Sequence, residues 1–324
     1  MKQNIAIIMG GYSAEVDISI KSGNVVYTHL DKEKYIPFRV LILHNKWVAL
    51  DADGKEYQID KNDFSFFLGA QKIVFDCVFN AIHGNPGENG VLLAYFELIG
   101  VTHTSASSYQ MALTFNKRDT LSVVKEYGIK TAVSVYLNKG DVVDVDAIIS
   151  KVGLPCFVKP NNAGSSYGIS KAHTKAEMLP ALEKAYQEDS EILIESFLDG
   201  PEVSVGVIQY KGAIKVLPIT EIVTENDFFD YEAKYEGKSQ EITPARIEES
   251  AKIKVEEIAK KVYAILNMSG FSRSEYILVN GEPHFLEMNT VPGLTENSIL
   301  PQQAQVAGIS LEELFDNAIE SALK

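Results

Sequence analysis

Short apolar runs alternate with stretches of helical spacing through the first third of the chain. The run Asn4 to Met9 stops at Gly10-Gly11, and a helical pattern follows to about His29. Apolar runs return at 35–43 (YIPFRVLIL), 47–50 (WVAL) and 73–82 (IVFDCVFNAI). Strands alternating with helices predict a parallel α/β layer over 1–104. Ligands gather at the carboxyl ends of strands in such layers. That singles out two loops, Gly10 to Glu15 and His83 to Gly90.

Residues 107–128 read as helices, with Leu121, Val124 and Tyr127 on one face and Gly128 as the stop. A strand is predicted at 131–137 and a helix near 144–152. Two apolar runs, LPCFVKP and GISKAH, flank the loop Asn161 to Gly168. Thr174 and Glu177 have capping-box spacing, although Pro180 disturbs the start of that helix. Antiparallel strands are expected over 191–223, with a tight turn at Gly212. Residues 224–245 read as a long polar loop, a length that marks function or mobility. The clearest helix is 247–266, where Ala251, Val255, Ile258, Val262 and Ile265 step by four and three. A hairpin follows at 274–289 around Asn280-Gly281, and Ser310 with Glu313 caps a last helix. The chain divides as 1–104, 105–190 and 191–324. Its class is α/β, with α+β character in the last part.

Composition narrows the function. At 46% hydrophobic and 23% charged residues, the chain of 324 is globular rather than disordered. No apolar run reaches the ~18 residues of a membrane span. The run near the start is too short for a signal-peptide core. Acids exceed bases for a net charge of −14, which argues against nucleic-acid and anionic-membrane partners. Small anionic ligands remain open, since a few cations can build a local positive pocket. Both cysteines, Cys77 and Cys156, sit in apolar runs and read as buried core residues. With no disulfide framework, the expected place is the cytoplasm.

Three segments carry candidate chemistry. In KPNNAGSSYG (159–168), Gly164, Ser165, Ser166 and Gly168 make a loop whose N–H groups can fold over phosphate oxygens. Its plain alternative is a Gly/Ser turn; a P-loop and a dinucleotide fingerprint are both missing from the chain. In the hairpin, Glu275, Glu287 and Asn289 offer oxygen donors of the kind Mg²⁺ takes, against the alternative of solvated strand acids. Side-chain alternation puts Glu287 and Asn289 on one face. A two-residue Asn-Gly loop pairs Val279 with Glu282 and turns Glu275 away. An odd loop or one bulge pairs Glu275 with Glu287, and that register is the prediction. After the hairpin comes TVPGLTENS (290–298), where Gly293 lets a backbone N–H approach an oxyanion.

The order of these pieces resembles the ATP-grasp superfamily, and within it the D-alanine–D-alanine ligase family. GGYSAE (10–15), HGNPGENG (83–90), NKRDT (116–120), FVKPNNAGSSYG (157–168), FFDYEAKY (228–235), FLEMNTVPGLTENS (285–298) and PQQAQVAG (301–308) are similar to that family's signatures, in the family's order. The resemblance covers nearly the whole chain. It implies an ATP-grasp fold behind a Rossmann-like N-terminal domain, and an enzyme that joins two D-alanines through an acyl phosphate for peptidoglycan synthesis. D-lactate or D-serine as second substrate, or a silent ATP-binding regulator, are the alternatives.

By the same resemblance, Lys117 and Lys159 contact the phosphates of ATP, Ser165 and Ser166 lie in the closing loop, and Lys234 in the lid also binds ATP. Glu195, Phe197 and Leu198 lie beside adenine, and Glu202 takes the ribose. Glu275, Glu287 and Asn289 hold magnesium, as two ions that manganese could replace. Glu15 holds the first D-alanine's ammonium and links through Ser165 to Tyr235 in the lid. His83 stands near that substrate. Arg273 and the Gly293 N–H stabilise the tetrahedral intermediate, while Ser298 and Ile299 meet the second D-alanine. The family also implies a homodimer. The chain departs from the family pattern at Glu275, where Asp is usual, at Leu93-Ala94, where Gln-Gly is common, and at Val16, where Arg is frequent.

Overall fold

The computed structural model describes residues 2–162, 164, 167–224 and 239–324. The first part of the chain carries β1 (Gln3–Gly10), α1 (Val16–His29), β2 (Tyr35–Leu43), β3 (Lys46–Leu50), β4 (Glu56–Gln58), β5 (Phe66–Leu68), β6 (Gln71–Ile73), β7 (Cys77–Asn80) and α2 (Val91–Ile99). Strand order in the main sheet is β4-β3-β2-β1-β7. β1 runs parallel to both β2 and β7, and Ile5 to Met9 are buried throughout. A central parallel strand is covered on both faces, so it reads as an unbroken apolar run. Two expectations need correction. WVAL returns antiparallel to β2, so the parallel part is β2-β1-β7 alone. IVFDCVFNAI is not one strand: it breaks between β6, which pairs with β5, and β7.

Since β1 and β7 are parallel neighbours, the loops leaving them emerge side by side. Gly11 lets them close up. It has φ of +103°, and a β-carbon there would lie 2.7 Å from Ile82 Cγ2.

The middle of the chain holds α3 (Ser108–Phe115), α4 (Lys117–Glu126), β8 (Ser134–Asn138), α5 (Val145–Val152), β9 (Cys156–Pro160), β10 (Ser170–Ala172), α6 (Lys175–Glu188) and β11 (Glu191–Ser196). Tyr127 ends α4 and is exposed, unlike Leu121 and Val124. The antiparallel sheet runs β10-β9-β11-β8. β11 therefore belongs to this sheet, although its residues follow the expected division at 190. One face of this sheet, with Cys156, Val158, Ile192 and Ile194, packs on α5 and α6. Alternation leaves Phe157, Lys159 and Glu195 on the other face.

The remaining elements are β12 (Glu202–Tyr210), β13 (Ala213–Val216), β14 (Thr220–Thr224), β15 (Ser239–Ile242), α7 (Glu249–Ile265), β16 (Phe271–Val279), β17 (Glu282–Asn289), α8 (Ile299–Val306) and α9 (Leu311–Ala322). The last large sheet runs β15-β14-β12-β16-β17, with β13 beside β12. β15 lies inside the segment expected to be loop, paired to β14. α7 buries Ala251, Val255, Ala259, Val262 and Tyr263. Ile258 and Ile265, expected in that stripe, are only partly buried. Ser310 caps α9 through the Glu313 N–H as expected. Both cysteines are free and buried, and burial pushes the Cys77 thiol up to about 12.

Candidate active site

A cavity of about 410 Å³ is lined by residues of both antiparallel sheets. Phe157, Ile169, Leu198, Ile277 and Leu286 supply apolar walls, and Lys117, Lys159, Glu195, Glu202, Glu275 and Glu287 supply charge. An apolar slot ending in convergent polar groups is the usual form of a small-molecule site. Lys159 donates to Glu195 Oε2 at 2.8 Å, with 15% and 4% of their side chains exposed. The register explains the pair: Glu195 sits opposite Phe157, diagonal to Lys159 on one face. Burial acts to lower the Lys159 pKa; Glu195, then Glu287 and Glu202, override it and raise it. The ammonium thus stays charged inside the cavity. Lys117 begins α4 and reaches Glu287 Oε2 at 3.2 Å. Asn116 caps that helix, and Asn161 Oδ1 accepts the Arg118 N–H at 2.9 Å. The helix start and the loop after β9 are thereby tied together.

The hairpin β16–β17 resolves its own register question. Asn280 and Gly281 both have positive φ, as a two-residue turn of this hand requires, and Val279 pairs with Glu282. A bulge between Glu275 and Tyr276 then shifts the ladder. Glu275 comes to lie opposite Glu287, and Arg273 opposite Asn289. The Arg273 guanidinium donates to Glu275 and to Ser204 Oγ, the latter at 2.9 Å. Burial tends to lower the Arg273 pKa, while Glu275 leads the charges that raise it.

This donor set suits a hard divalent cation. Two carboxylates on facing positions and an amide two residues on are all oxygen donors. The Asn289 side-chain nitrogen is buried without a partner. A half-turn of the amide exchanges its nitrogen and oxygen, which brings an oxygen donor to that unpartnered position. Among the described residues no cluster of three or more His, Cys, Asp or Glu side chains could hold a metal. The candidate set here is two carboxylates and one amide.

A third group of residues gathers where β1 and β7 end. The His83 Nδ1–H donates to Val291 O at 2.6 Å, because a carbonyl can only accept. Ser22 Oγ accepts the Leu294 N–H at 3.2 Å and lies 3.0 Å from His83 Nε2, to which its hydroxyl donates. Both ring nitrogens are thus engaged, and His83 clamps α1 to the Gly293 turn. Glu88 accepts from Gly84 N, and from Thr290 N and Val291 N at 3.0 and 3.2 Å. Its pKa is raised, first by burial and then by Glu15, against the pull of His83 and the N–H groups. A β-carbon on Gly293 would stand 2.6 Å from Ser298 Oγ, at the N-cap of α8. Glu15 stands at the N-cap position of α1, and Gly84 and Gly164 both approach its carboxylate.

The description "D-ala D-ala ligase C-terminus" matches residues 123–320, and "D-ala D-ala ligase N-terminus" matches 4–106. The chain belongs to the D-ala D-ala ligase family. A D-alanine--D-alanine ligase of Flavobacterium johnsoniae is 67% identical over 99% of this chain and 99% of its own. Among solved structures, the VanG D-Ala:D-Ser ligase of Enterococcus faecalis superposes with TM-score 0.86 at 29% identity, covering 99% of each chain. An ATP complex of the Bacillus anthracis D-alanine--D-alanine ligase matches at 0.80 and 26%, over 99% of this chain and 97% of that one. The architecture is the ATP-grasp fold.

Within this D-ala D-ala ligase family member, the cavity is lined by Lys117, Lys159, Glu195, Phe197, Leu198, Glu202, Glu275 and Glu287, all singled out from sequence. Ser165, Ser166, Lys234 and Tyr235 lie outside the described residues. His83 is expected near the first substrate; its two ring nitrogens contact Val291 O and Ser22 Oγ. Sequence reading misses Glu88, Ser19 and Ser22 as parts of the site. A signal existed for the serines: Ser19, whose Oγ accepts the His83 N–H, and Ser22 both stand on the buried face of α1. Polar residues on a buried face need partners.

Proposed function

We propose that the chain is an ATP-dependent ligase that joins two D-alanines for peptidoglycan precursor synthesis. One observation carries the reading: a single cavity holds two lysines, a facing pair of carboxylates and apolar walls, and the hairpin that lines it also bears Arg273.

The chemistry runs in two steps. A carboxylate oxygen of the first D-alanine attacks the γ-phosphorus of ATP, and ADP leaves. The amine of the second D-alanine then attacks the acyl-phosphate carbon, loses a proton, and phosphate leaves. Lys117 and Lys159 hold phosphate oxygens, Glu195 to Leu198 border adenine, and Glu202 takes the ribose hydroxyls. Glu275, Glu287 and Asn289 hold magnesium, which when bound neutralises charge on the transferring group. Glu15 holds the first ammonium. Arg273 and the Gly293 N–H face the tetrahedral oxyanion, a contribution worth ~10²–10³ in rate per donor. Ser298 and Ile299, at the start of α8, receive the second substrate's carboxylate. Ser165, Ser166, Lys234 and Tyr235 complete the phosphate and lid contacts in this proposal. The same reading makes the protein a cytoplasmic homodimer, and its two free buried cysteines fit a reducing compartment.

The test is ADP release from MgATP with D-alanine, beside L-alanine, D-lactate plus D-alanine, and no amino acid. Release that requires D-alanine, with the dipeptide seen by mass spectrometry, is the expected result. ATP binding without release under any condition would overturn it.

A further inference from the structure

The helix α8 carries Ser298 at its N-cap, and a buried contact with β12 sets where that helix lies. Gln303, on α8, is fully buried, and both ends of its amide are hydrogen-bonded. Oε1 accepts the Gly206 N–H at 2.9 Å, and Nε2 donates to Ser204 O and to Thr220 Oγ1, each at 2.9 Å. A backbone N–H only donates and a carbonyl only accepts, so these partners decide which end of the amide is oxygen. The same two strand residues address the reacting centre. Gly206 pairs with Arg273 on β16, and Ser204 Oγ receives the Arg273 guanidinium.

Gly206 is a notch. A β-carbon there would stand 2.6 Å from Leu300 Cδ1, 2.7 Å from Gln303 Oε1 and 3.0 Å from Leu217 Cδ1. Leu300, Gln303 and Leu217 are 0%, 0% and 1% exposed, so none has space to retreat into. An apolar side chain could fill the place of Gln303. The amide adds three directional bonds, which hold one register of helix on strand.

We propose that Gln303 and the Gly206 notch are positioning elements for the second substrate, holding Ser298 and the adjoining Gly293 at working distance from Arg273. Neither touches substrate; both act through α8. The inference rests on the ligase reading above. It extends that reading to two residues that set how the second D-alanine is received.

The test is steady-state ligation with separate KM values for the two D-alanine sites, on wild type, Gly206→Ala, Gln303→Leu and Gln303→Glu, with ATP affinity measured by calorimetry. Gly206→Ala and Gln303→Leu are expected to raise the second KM by roughly tenfold or more, as sub-ångström to 1 Å misplacement does. The first KM and the ATP affinity stay within about twofold, the signature of a loss confined to one subsite. Gln303→Glu keeps an acceptor for the Gly206 N–H and, as the neutral acid that so buried a place favours, one donor for Ser204 O, so it falls between. Folded variants with an unchanged second KM, or with all constants moving together, overturn the inference. Where Gln303→Leu does not fold, Gly206→Ala and Gln303→Glu decide. A wild type that makes no dipeptide overturns the ligase reading and this with it; a wild type that ligates beside unaffected variants overturns this alone.

Discussion

Gly164 and Glu15 meet across the site: a β-carbon on Gly164 would stand 2.8 Å from Glu15 Oε2. Glu15 belongs to the N-terminal sheet's rim, and Gly164 to the loop that leaves β9. Gly84 approaches the same oxygen, at 3.3 Å for its own β-carbon. Two glycines thus leave room for one carboxylate. The loop after β9 and the corner we propose for the first substrate touch there.

Gly164→Ala should therefore cost activity without unfolding the protein. The added methyl displaces Glu15 or the loop, and misplacement of that order costs about 10²-fold in rate. Ligation kinetics beside a thermal melt check it. A variant with wild-type KM for the first D-alanine would refute the contact's importance.

Lys159→Ala should lose nucleotide affinity and stability together. It leaves Glu195 buried and unpaired, which costs ~3–5 kcal/mol. Adding Glu195→Gln should restore most of the stability and none of the ATP binding. Urea melts and calorimetry separate the two effects; recovery of ATP binding in the double variant would count against a phosphate role.

Glu287→Gln should weaken the dependence on magnesium. Even outer partners of a metal cost roughly 10–100-fold in affinity when lost, and a direct ligand costs at least that. The readout is the Mg²⁺ concentration for half-maximal ADP release. An unchanged midpoint would remove Glu287 from the metal set.

Glu88 should make stability fall as pH rises. Its folded pKa is raised above 4.5 by burial and by Glu15. The native state then keeps a proton that the unfolded chain has lost, so the slope of stability against pH is negative from 4.5 up to the folded value. Glu88→Gln should remove that slope while lowering stability throughout, since one acceptor oxygen replaces two. Denaturant melts across the window test it, and parallel curves for the two proteins would contradict the assignment.

Much of the site is legible in the residues themselves. Lys159 ends an apolar strand where an unpaired charge is costly, and the structure gives it Glu195. Asn280-Gly281 demands a two-residue turn, and period two puts Glu287 and Asn289 together. The hairpin also shows where such reading stops. Tyr276 and Phe285 are both core residues, edge to face with ring centres 5.7 Å apart. Keeping both rings inside and both carboxylates in the cavity takes one bulge, with Leu286 as the extra residue. The two-residue turn alone would have turned Glu275 away.

Sequence by itself determined the local terms: most of the strand and helix runs, where turns need positive φ, and which residue types can hold phosphate and a hard cation. These depend on neighbours along the chain, within a few residues. Tertiary structure alone decided what depends on distant segments. WVAL turned antiparallel, β11 joined the middle sheet, His83 was tied to Val291 and Gln303 to Gly206. Each of those outcomes is a hydrogen bond or strand pairing made to satisfy buried polar groups, and its partner is set by packing of the whole chain rather than by any short stretch of it.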